Sequence, residues 1–359
     1  MWLFDIFNKK PVIKENTFLV WEPCGHNHAE VVPGFVKYLL DMGYHVSVLV
    51  SPSAYKENLF ARFRGDENIT YNKMTQKQIR RFFKHSDLKD VKGVLVTTVG
   101  KLCTAPHYDQ VEKNFHKNVD KNKLFYVEHS VKGRCDHNAL GENMISLREV
   151  NYKDAKTVPV NPHYFGTVNI TPKNDLTNFV TIGELNPNKK NSTVFINAAK
   201  KLIQNGITNF KITVVGKGKM EDLPKEILPY LDIKGRLPFD KMFEEIEKGD
   251  FLITAYDDNN PEHVFYCTTG TSGNFQLVYG FDKPIIIKES FAPINGFTDK
   301  NSILYKDDED FYNAMIKGIE MSKETYKSLQ DDLKAYTDNF YKTSLENFKN
   351  LIIKQKGEL

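Results

Sequence analysis

Two polar loops contain the side chains best suited to proton transfer. His28 and Glu30 lie in the first loop, which follows an apolar run ending at Trp21. His129 lies in the second loop, shortly after the apolar run 124–127. Imidazole and carboxylate groups are common general acids and bases, so we predict these three residues as candidates for acid–base chemistry. The alternative is that Glu30 caps a helix start and that the histidines are ordinary loop residues.

The stretch 268–288 favours a different chemistry, the binding of a phosphate. Thr271, Ser272 and Gly273 precede an apolar helical run, and a β-branched strand follows at 285–287. Free backbone N–H groups and the helix dipole attract phosphate at such a helix start. Because Ser and Thr cap helices in many proteins, an ordinary capped helix is the alternative.

The elements that must position these residues alternate between strands and helices. Strands are predicted at 17–21, 44–51, 69–71, 94–98, 124–127, 144–147 and 157–160, and after a polar linker at 179–182, 210–215, 231–234, 251–254, 285–287 and 303–305. Helices are predicted at 31–42, 76–85, 192–205, 221–228 and 240–248, and from 308 to the end of the chain. This alternation is typical of doubly wound parallel sheets, whose ligands lie beyond the C-terminal ends of the strands.

The pattern therefore predicts an α/β protein with two Rossmann-like, doubly wound domains. With 359 residues the chain is too long for one typical core. We predict an N-terminal domain over 1–165, a C-terminal domain over 172–340 and a terminal helix over 341–359.

Composition narrows the possible functions. The net charge of +3 gives no basis for nucleic-acid binding. None of the four cysteines has C-x-x-C spacing, so neither a zinc knuckle nor a redox pair is indicated. Scattered free thiols are typical of a cytoplasmic protein, and no apolar run is long enough to span a membrane.

The N-terminal peptide 1–10 combines aromatic side chains with two lysines. Trp2 and the neighbouring phenylalanines suit a membrane interface, which favours peripheral membrane contact. The alternative is a hydrophobic clasp that packs onto the protein itself.

The second half of the chain resembles a known family over residues 178–306. The residues that carry the resemblance follow successive strands: Gly183 to Lys189, Gly216-Lys217-Gly218, Gly235-Arg236-Leu237 and Gly249-Asp250-Phe251. Their order is similar to the donor-binding half of GT-B glycosyltransferases, above all the family 4 group. The resemblance implies two domains facing a cleft and a nucleoside-diphosphate sugar as donor, most often a UDP-sugar. It also implies that no metal ion or other cofactor is needed.

The resemblance assigns donor-binding roles to several residues. Lys189 falls at the diphosphate-binding lysine, Gly216 and Lys217 at a turn close to the nucleotide, and Leu237 at the nucleobase contact. Two positions depart from the family pattern. Glu184 stands where an arginine is usual, and Gly270 stands near the position of the ribose-binding glutamate. The resemblance then points to divergent members in which Thr271, Ser272 and Gly273 hold the diphosphate.

In such members Gln276 or Asn274 takes the ribose. On the first domain the resemblance implies acceptor activation by His28 and Glu30, and a contact from His129 to the transferred sugar. A metal site formed by His26, His28 and Glu30 is compatible with their spacing. The terminal helix is expected to cross back to the first domain.

The function implied is a hexosyltransferase in surface polysaccharide or glycoconjugate synthesis. Its acceptor would be a hydroxyl group of a glycan, glycolipid or glycoprotein. Two alternatives share the fold: a non-catalytic partner subunit that has lost its donor site, and a nucleotide-sugar 2-epimerase.

Overall fold

The computed structural model describes residues 10–23, 28–63, 65–99, 118–136, 143–183, 192–217 and 223–357. The chain forms two compact units. Unit 1 consists of Met1–Gly166 together with Phe340–Leu359, and unit 2 consists of Thr167–Asn339.

Unit 1 is built on a parallel sheet. Its strands are β1 (Thr17–Trp21), β2 (His45–Val50), β3 (Ile69–Lys73), β4 (Gly93–Val96), β5 (Leu124–Glu128), β6 (Met144–Ser146) and β7 (Val158–Pro159). Its described helices are α1 (Val32–Asp41), α2 (Pro52–Lys56), α3 (Gln76–His85) and α4 (Val131–Asp136). The strand order is β3-β2-β1-β4-β5-β6-β7, and every neighbouring pair is parallel. The order reverses between β1 and β4, which is where doubly wound sheets bind ligands.

Local sequence explains the central elements of unit 1. All five residues of β1 are buried, as expected of a strand covered on both faces. Pro33 lies in the first turn of α1, where its missing N–H costs nothing. Helix α3 begins with a capping box, in which Thr75 and Gln78 satisfy each other's backbone N–H groups.

Unit 2 is also built on a parallel sheet with intervening helices. Its strands are β8 (Thr177–Ile182), β9 (Phe210–Val215), β10 (Leu231–Gly235), β11 (Phe251–Ile253), β12 (Ile285–Lys288) and β13 (Ser302–Tyr305). Its helices are α5 (Ser192–Gln204), α6 (Phe239–Lys248), α7 (Pro261–Val264), α8 (Gly273–Phe281) and α9 (Asp308–Glu320). The parallel order is β10-β9-β8-β11-β12-β13, with the reversal between β8 and β11.

The last helix, α10 (Lys323–Lys356), is continuous over 34 residues and contributes to both units. In unit 2 the hydroxyl of Tyr326 donates to the Asp250 carbonyl oxygen at 2.7 Å. In unit 1 Phe348 is fully buried, and its ring lies 6.5 Å from Phe18, 6.0 Å from Phe35 and 6.2 Å from Phe125.

The prediction of an α/β protein with two Rossmann-like sheets is confirmed. One predicted helix, 221–228, is wrong over the residues that are described. The structure has a 3-10 helix at Lys225–Tyr230 instead, flanked by Pro224 and containing Pro229. Proline lacks the N–H that an α-helix interior requires, so the backbone adopts the shorter, tighter form.

Candidate active site

Glu22 directly follows β1 and faces the end of β4. Its Oε2 atom accepts hydrogen bonds from Thr97 Oγ1 and Thr98 Oγ1, both at 2.7 Å. The residue is only 8% exposed. Hydroxyl donors at this distance offset part of the cost of removing a carboxylate from water.

His129 follows β5 and is joined to Glu22 through Thr98. Its Nε2 lies 2.9 Å from the Thr97 carbonyl oxygen and 3.3 Å from Thr98 Oγ1. A carbonyl oxygen can only accept, so Nε2 carries the proton and the neutral ring keeps its lone pair on Nδ1. Burial, reinforced by the charge of His28, lowers the pKa of His129 to about 3. The ring is therefore neutral at physiological pH.

Glu30 lies in the short 3-10 helix Ala29–Val31 that precedes α1. Burial raises its pKa to about 8; a backbone hydrogen bond opposes the shift and the charge of Glu22 adds to it. Glu30 is therefore mostly protonated at pH 7. His28 lies next to it in the chain, and its ring meets the His129 ring edge-on at 4.5 Å between centroids.

The structure thus brings His28, Glu30 and His129 together at the C-terminal ends of the central strands. With Glu22, Thr97 and Thr98 they form what we call the glutamate–histidine cluster. The sequence alone did not identify Glu22, Thr97 and Thr98 as site residues. The signal that could have found them is their position, because each follows β1 or β4 at the point where the strand order reverses.

In unit 2 two predicted glycines meet at the ends of β8 and β9. A Cβ atom added to Gly216 would lie 1.6 Å from the Gly183 carbonyl oxygen, so no other residue fits there. Gly183 has a φ of +118°, and its N–H donates to the Val215 carbonyl at 2.9 Å. Gly216 N–H in turn donates to the Gly235 carbonyl at 3.0 Å, which joins the end of β10 to the same place.

The other donor-site residues predicted from this region differ in exposure. Lys217 is exposed, and Leu237 is half-buried just beyond β10. Lys189, Glu184 and Gly218 lie outside the described residues, as do His26 and the N-terminal peptide 1–9.

The start of α8 is internally hydrogen-bonded. Ser272 is the N-cap, and its Oγ accepts from the Asn274 backbone N–H at 3.2 Å. The same Oγ lies 2.5 Å from the Tyr256 hydroxyl, which also accepts from Asn274 Nδ2 at 3.1 Å. The Ser272 side chain therefore serves the helix cap, whereas Thr271 and Gly273 on either side of it are half-buried.

Gln276, one turn into α8, is 1% exposed. Neither its Nε2 nor its Oε1 has a hydrogen-bond partner within the described part of the chain. A buried amide without partners is costly, so this side chain is one that a polar ligand group or a water molecule would satisfy.

Two features are absent from the residues that the structure describes. No group of three or more His, Cys, Asp or Glu side chains is arranged to hold a metal ion. None of the helices there combines the length and the apolar character that crossing a bilayer requires.

Comparison with known proteins identifies the architecture. No protein-family model and no curated protein matches the chain. Among solved structures, it is similar to AviGT4, a glycosyltransferase involved in avilamycin A biosynthesis, with 11% identity and a TM-score of 0.54. That match covers 93% of this chain and 98% of AviGT4. The chain has the GT-B fold.

Two further GT-B structures resemble it at lower scores. WaaG, a glycosyltransferase involved in lipopolysaccharide biosynthesis, matches with 11% identity and a TM-score of 0.46, over 93% of this chain and 99% of WaaG. TarM matches with 14% identity and a TM-score of 0.48, over 77% of this chain. The match spans only 58% of the TarM structure.

Proposed function

We propose that the protein is a glycosyltransferase that moves a sugar from a nucleoside-diphosphate sugar to a hydroxyl group. The observation that carries the proposal is the glutamate–histidine cluster, which gathers acid–base groups at the strand ends of a GT-B unit. In this proposal unit 1 supplies the proton-transfer groups and unit 2 binds the donor. We further propose that the transferred sugar is a hexose. Its acceptor would be a surface glycan, a glycolipid or a glycoprotein.

The protonation states define what each group can do. Neutral His129 presents the lone pair of Nδ1 and can accept a hydrogen bond from a sugar hydroxyl. Protonated Glu30 can donate a hydrogen bond, and it becomes a base only after losing its proton. If Glu30 activates the acceptor hydroxyl, the transfer rate must rise as pH approaches about 8, the pKa of Glu30.

Donor binding is assigned to the backbone of unit 2. Gly183 and Gly216 meet in a close backbone contact at the C-terminal ends of β8 and β9, where doubly wound sheets bind ligands, and the start of α8 favours a diphosphate. Because the Ser272 hydroxyl is engaged with Tyr256, we assign the phosphate to backbone N–H groups around Thr271 and Gly273. Lys189 and Lys217 supply cations, and Gln276 is the candidate for the ribose. A UDP-sugar is the proposed donor, without a metal ion.

A thermal-shift titration tests the donor site. UDP, GDP and ADP are titrated separately, and we expect UDP to raise the melting temperature most. Thr271→Glu places a negative charge at the proposed phosphate position and should abolish the shift. Leu228→Asp is the control, because Leu228 is 48% exposed and precedes β10 at the opposite end of its sheet.

Hydrolysis of the matching UDP-sugars then tests catalysis. If no nucleotide raises the melting temperature of the unaltered protein, the glycosyltransferase proposal is wrong and a non-catalytic partner subunit is favoured. An unchanged shift in Thr271→Glu would contradict the phosphate placement alone.

A further inference from the structure

Helix α3 has one face lined by basic side chains. Its sequence QKQIRRFFKH contains no acidic residue. Ile79, Phe82 and Phe83 are buried in the core of unit 1. The other side forms what we call the basic stripe: Lys77, Arg80, Arg81, Lys84 and His85. Arg80 is half-buried and the other four residues are exposed.

The spacing makes this stripe a row of cations. Residues three and four positions apart lie on one helix face, with Cβ atoms about 5–6 Å apart. Lys77, Arg81 and Lys84 therefore follow one another along a helix about 15 Å long. Like charges at this spacing destabilise an isolated helix slightly, because they repel one another.

Two other helices of this protein pair a lysine with an acid one turn away. Lys334 pairs with Asp338 at 2.7 Å on α10, and Lys241 pairs with Glu244 at 2.7 Å on α6. Within the described residues no acidic side chain forms an ion pair with Arg80, Arg81 or Lys84. The charges of Arg80, Arg81 and Lys84 are therefore left for an external anion.

Hydrogen bonds join helix α3 to Glu22, a residue of the glutamate–histidine cluster. At the start of α3, Gln76 Nε2 donates to the Glu22 carbonyl oxygen at 3.2 Å, and Gln76 Oε1 accepts from Trp21 Nε1 at 3.1 Å. At the other end, Asn118 Nδ2 donates to the Phe83 carbonyl at 2.6 Å and to the Lys84 carbonyl at 3.0 Å. The start of α3 is thus bonded to the main chain of the cluster residue Glu22, and the helix that bears the stripe is held at both ends.

We propose that the basic stripe binds the acceptor, and that this acceptor is a polyanionic glycan with repeated phosphate or carboxylate groups. The inference rests on the proposed function, since it assigns the second substrate of that reaction. A chain lying along α3 would bring its end to the cluster, where a hydroxyl is activated. A membrane surface fits less well, because the apolar face of α3 is buried and charge alone gives weak attachment.

The proposal is tested by measuring the affinity of the protein for two polyanions, short-chain inorganic polyphosphate and polygalacturonate. Dextran serves as the uncharged comparison. The variant Arg80→Gln/Arg81→Gln/Lys84→Gln removes three charges from the stripe. The control Lys225→Gln/Lys300→Gln/Lys306→Gln removes three charges from exposed positions of unit 2. In the stripe variant we expect binding about tenfold weaker, with the slope of log affinity against log salt reduced by about two. The control should change affinity less than about twofold.

Equal losses in the two variants would overturn the inference, because they would show an effect of net charge alone. Binding to phosphatidylglycerol vesicles without binding to either polyanion would overturn it in favour of a membrane surface. The UDP-induced thermal shift, measured on the same preparations, separates this test from that of the proposed function. Lost polyanion binding with an unchanged UDP shift supports the stripe as the acceptor site. Polyanion binding without any UDP shift would instead contradict the glycosyltransferase proposal and leave the polyanion surface supported.

Discussion

At the scale of single residues, the glutamate–histidine cluster contains a buried carboxyl group, that of Glu22, and a half-buried one, that of Glu30. Glu22 receives two hydroxyl donors, which stabilise its charge. That charge, added to burial, favours the protonated form of Glu30. Acid–base sites often contain such pairs, in which the surroundings separate the roles of two similar groups.

The protonation of Glu30 predicts how stability depends on pH. Its pKa is raised from 4.5 to about 8, so the folded protein holds a proton that the unfolded chain releases. The free energy of unfolding must therefore fall as pH rises through this range. His129 acts in the opposite sense, because its pKa is lowered from 6.5 to about 3 and stability rises with pH between those values.

Above pH 6.5, of these two residues only Glu30 still makes the free energy of unfolding depend on pH. Glu30→Gln should remove a decline of at most about 2 kcal/mol between pH 6.5 and 8, measured by urea unfolding. His129→Gln is the comparison and should flatten only the acid side of the profile. An unchanged decline in Glu30→Gln would contradict the assigned pKa.

The hydrogen bond from Thr98 to Glu22 should contribute to stability. Thr98 is 4% exposed and donates to Glu22 while lying against His129. Thr98→Val leaves the carboxylate with one donor fewer, and we expect a loss of about 1.5–3 kcal/mol in unfolding free energy. Thr98→Ser keeps the hydroxyl and should lose clearly less. Equal losses in both variants would attribute the effect to packing.

At the scale of elements, the sequence predicts individual strands but does not predict contacts between residues that are far apart in the chain. The buried parallel strands are continuous apolar runs, so β1 and β9 are predicted with the bounds that the structure shows. Thr97 and Thr98 are assigned to a strand over 94–98, although β4 ends at Val96 and both side chains turn to Glu22. Thr97 is 75 residues from Glu22 in the chain, and no local pattern reveals that contact.

The close contact between Gly183 and Gly216 joins the ends of β8 and β9, and it can be tested by substitution. Gly216→Ala must displace the backbone at Gly183, and we expect a loss of about 1–3 kcal/mol together with loss of the UDP-induced thermal shift. Gly133→Ala is the matched control, since the nearest atom to its added Cβ, Ser130 Oγ, lies at an ordinary 3.5 Å. Full nucleotide binding by Gly216→Ala would show that this junction does not shape the donor site.

At the scale of the whole molecule, the two units share one helix. The C-terminal part of α10 completes the aromatic core of unit 1 through Phe348. Phe348→Ala should cost about 3–5 kcal/mol, as for other large buried aromatic residues. Trp21 is fully buried in unit 1, so its fluorescence during denaturant unfolding reports on this unit. Lys349→Ala, at the exposed neighbouring position, should leave the transition unchanged.

The shared helix also sets the order in which the protein can fold during synthesis. Unit 2 is continuous in sequence and has all its residues once Asn339 has left the ribosome. Unit 1 is synthesised first but lacks Phe348 and its neighbours until the last part of α10 emerges. Domains usually fold from the N-terminus onward as they are made, and here that order is reversed. Nascent chains that end at residue 339 and are followed by a flexible linker long enough to clear the ribosomal exit tunnel should therefore contain a protease-resistant second unit and a first unit that is still open to cleavage.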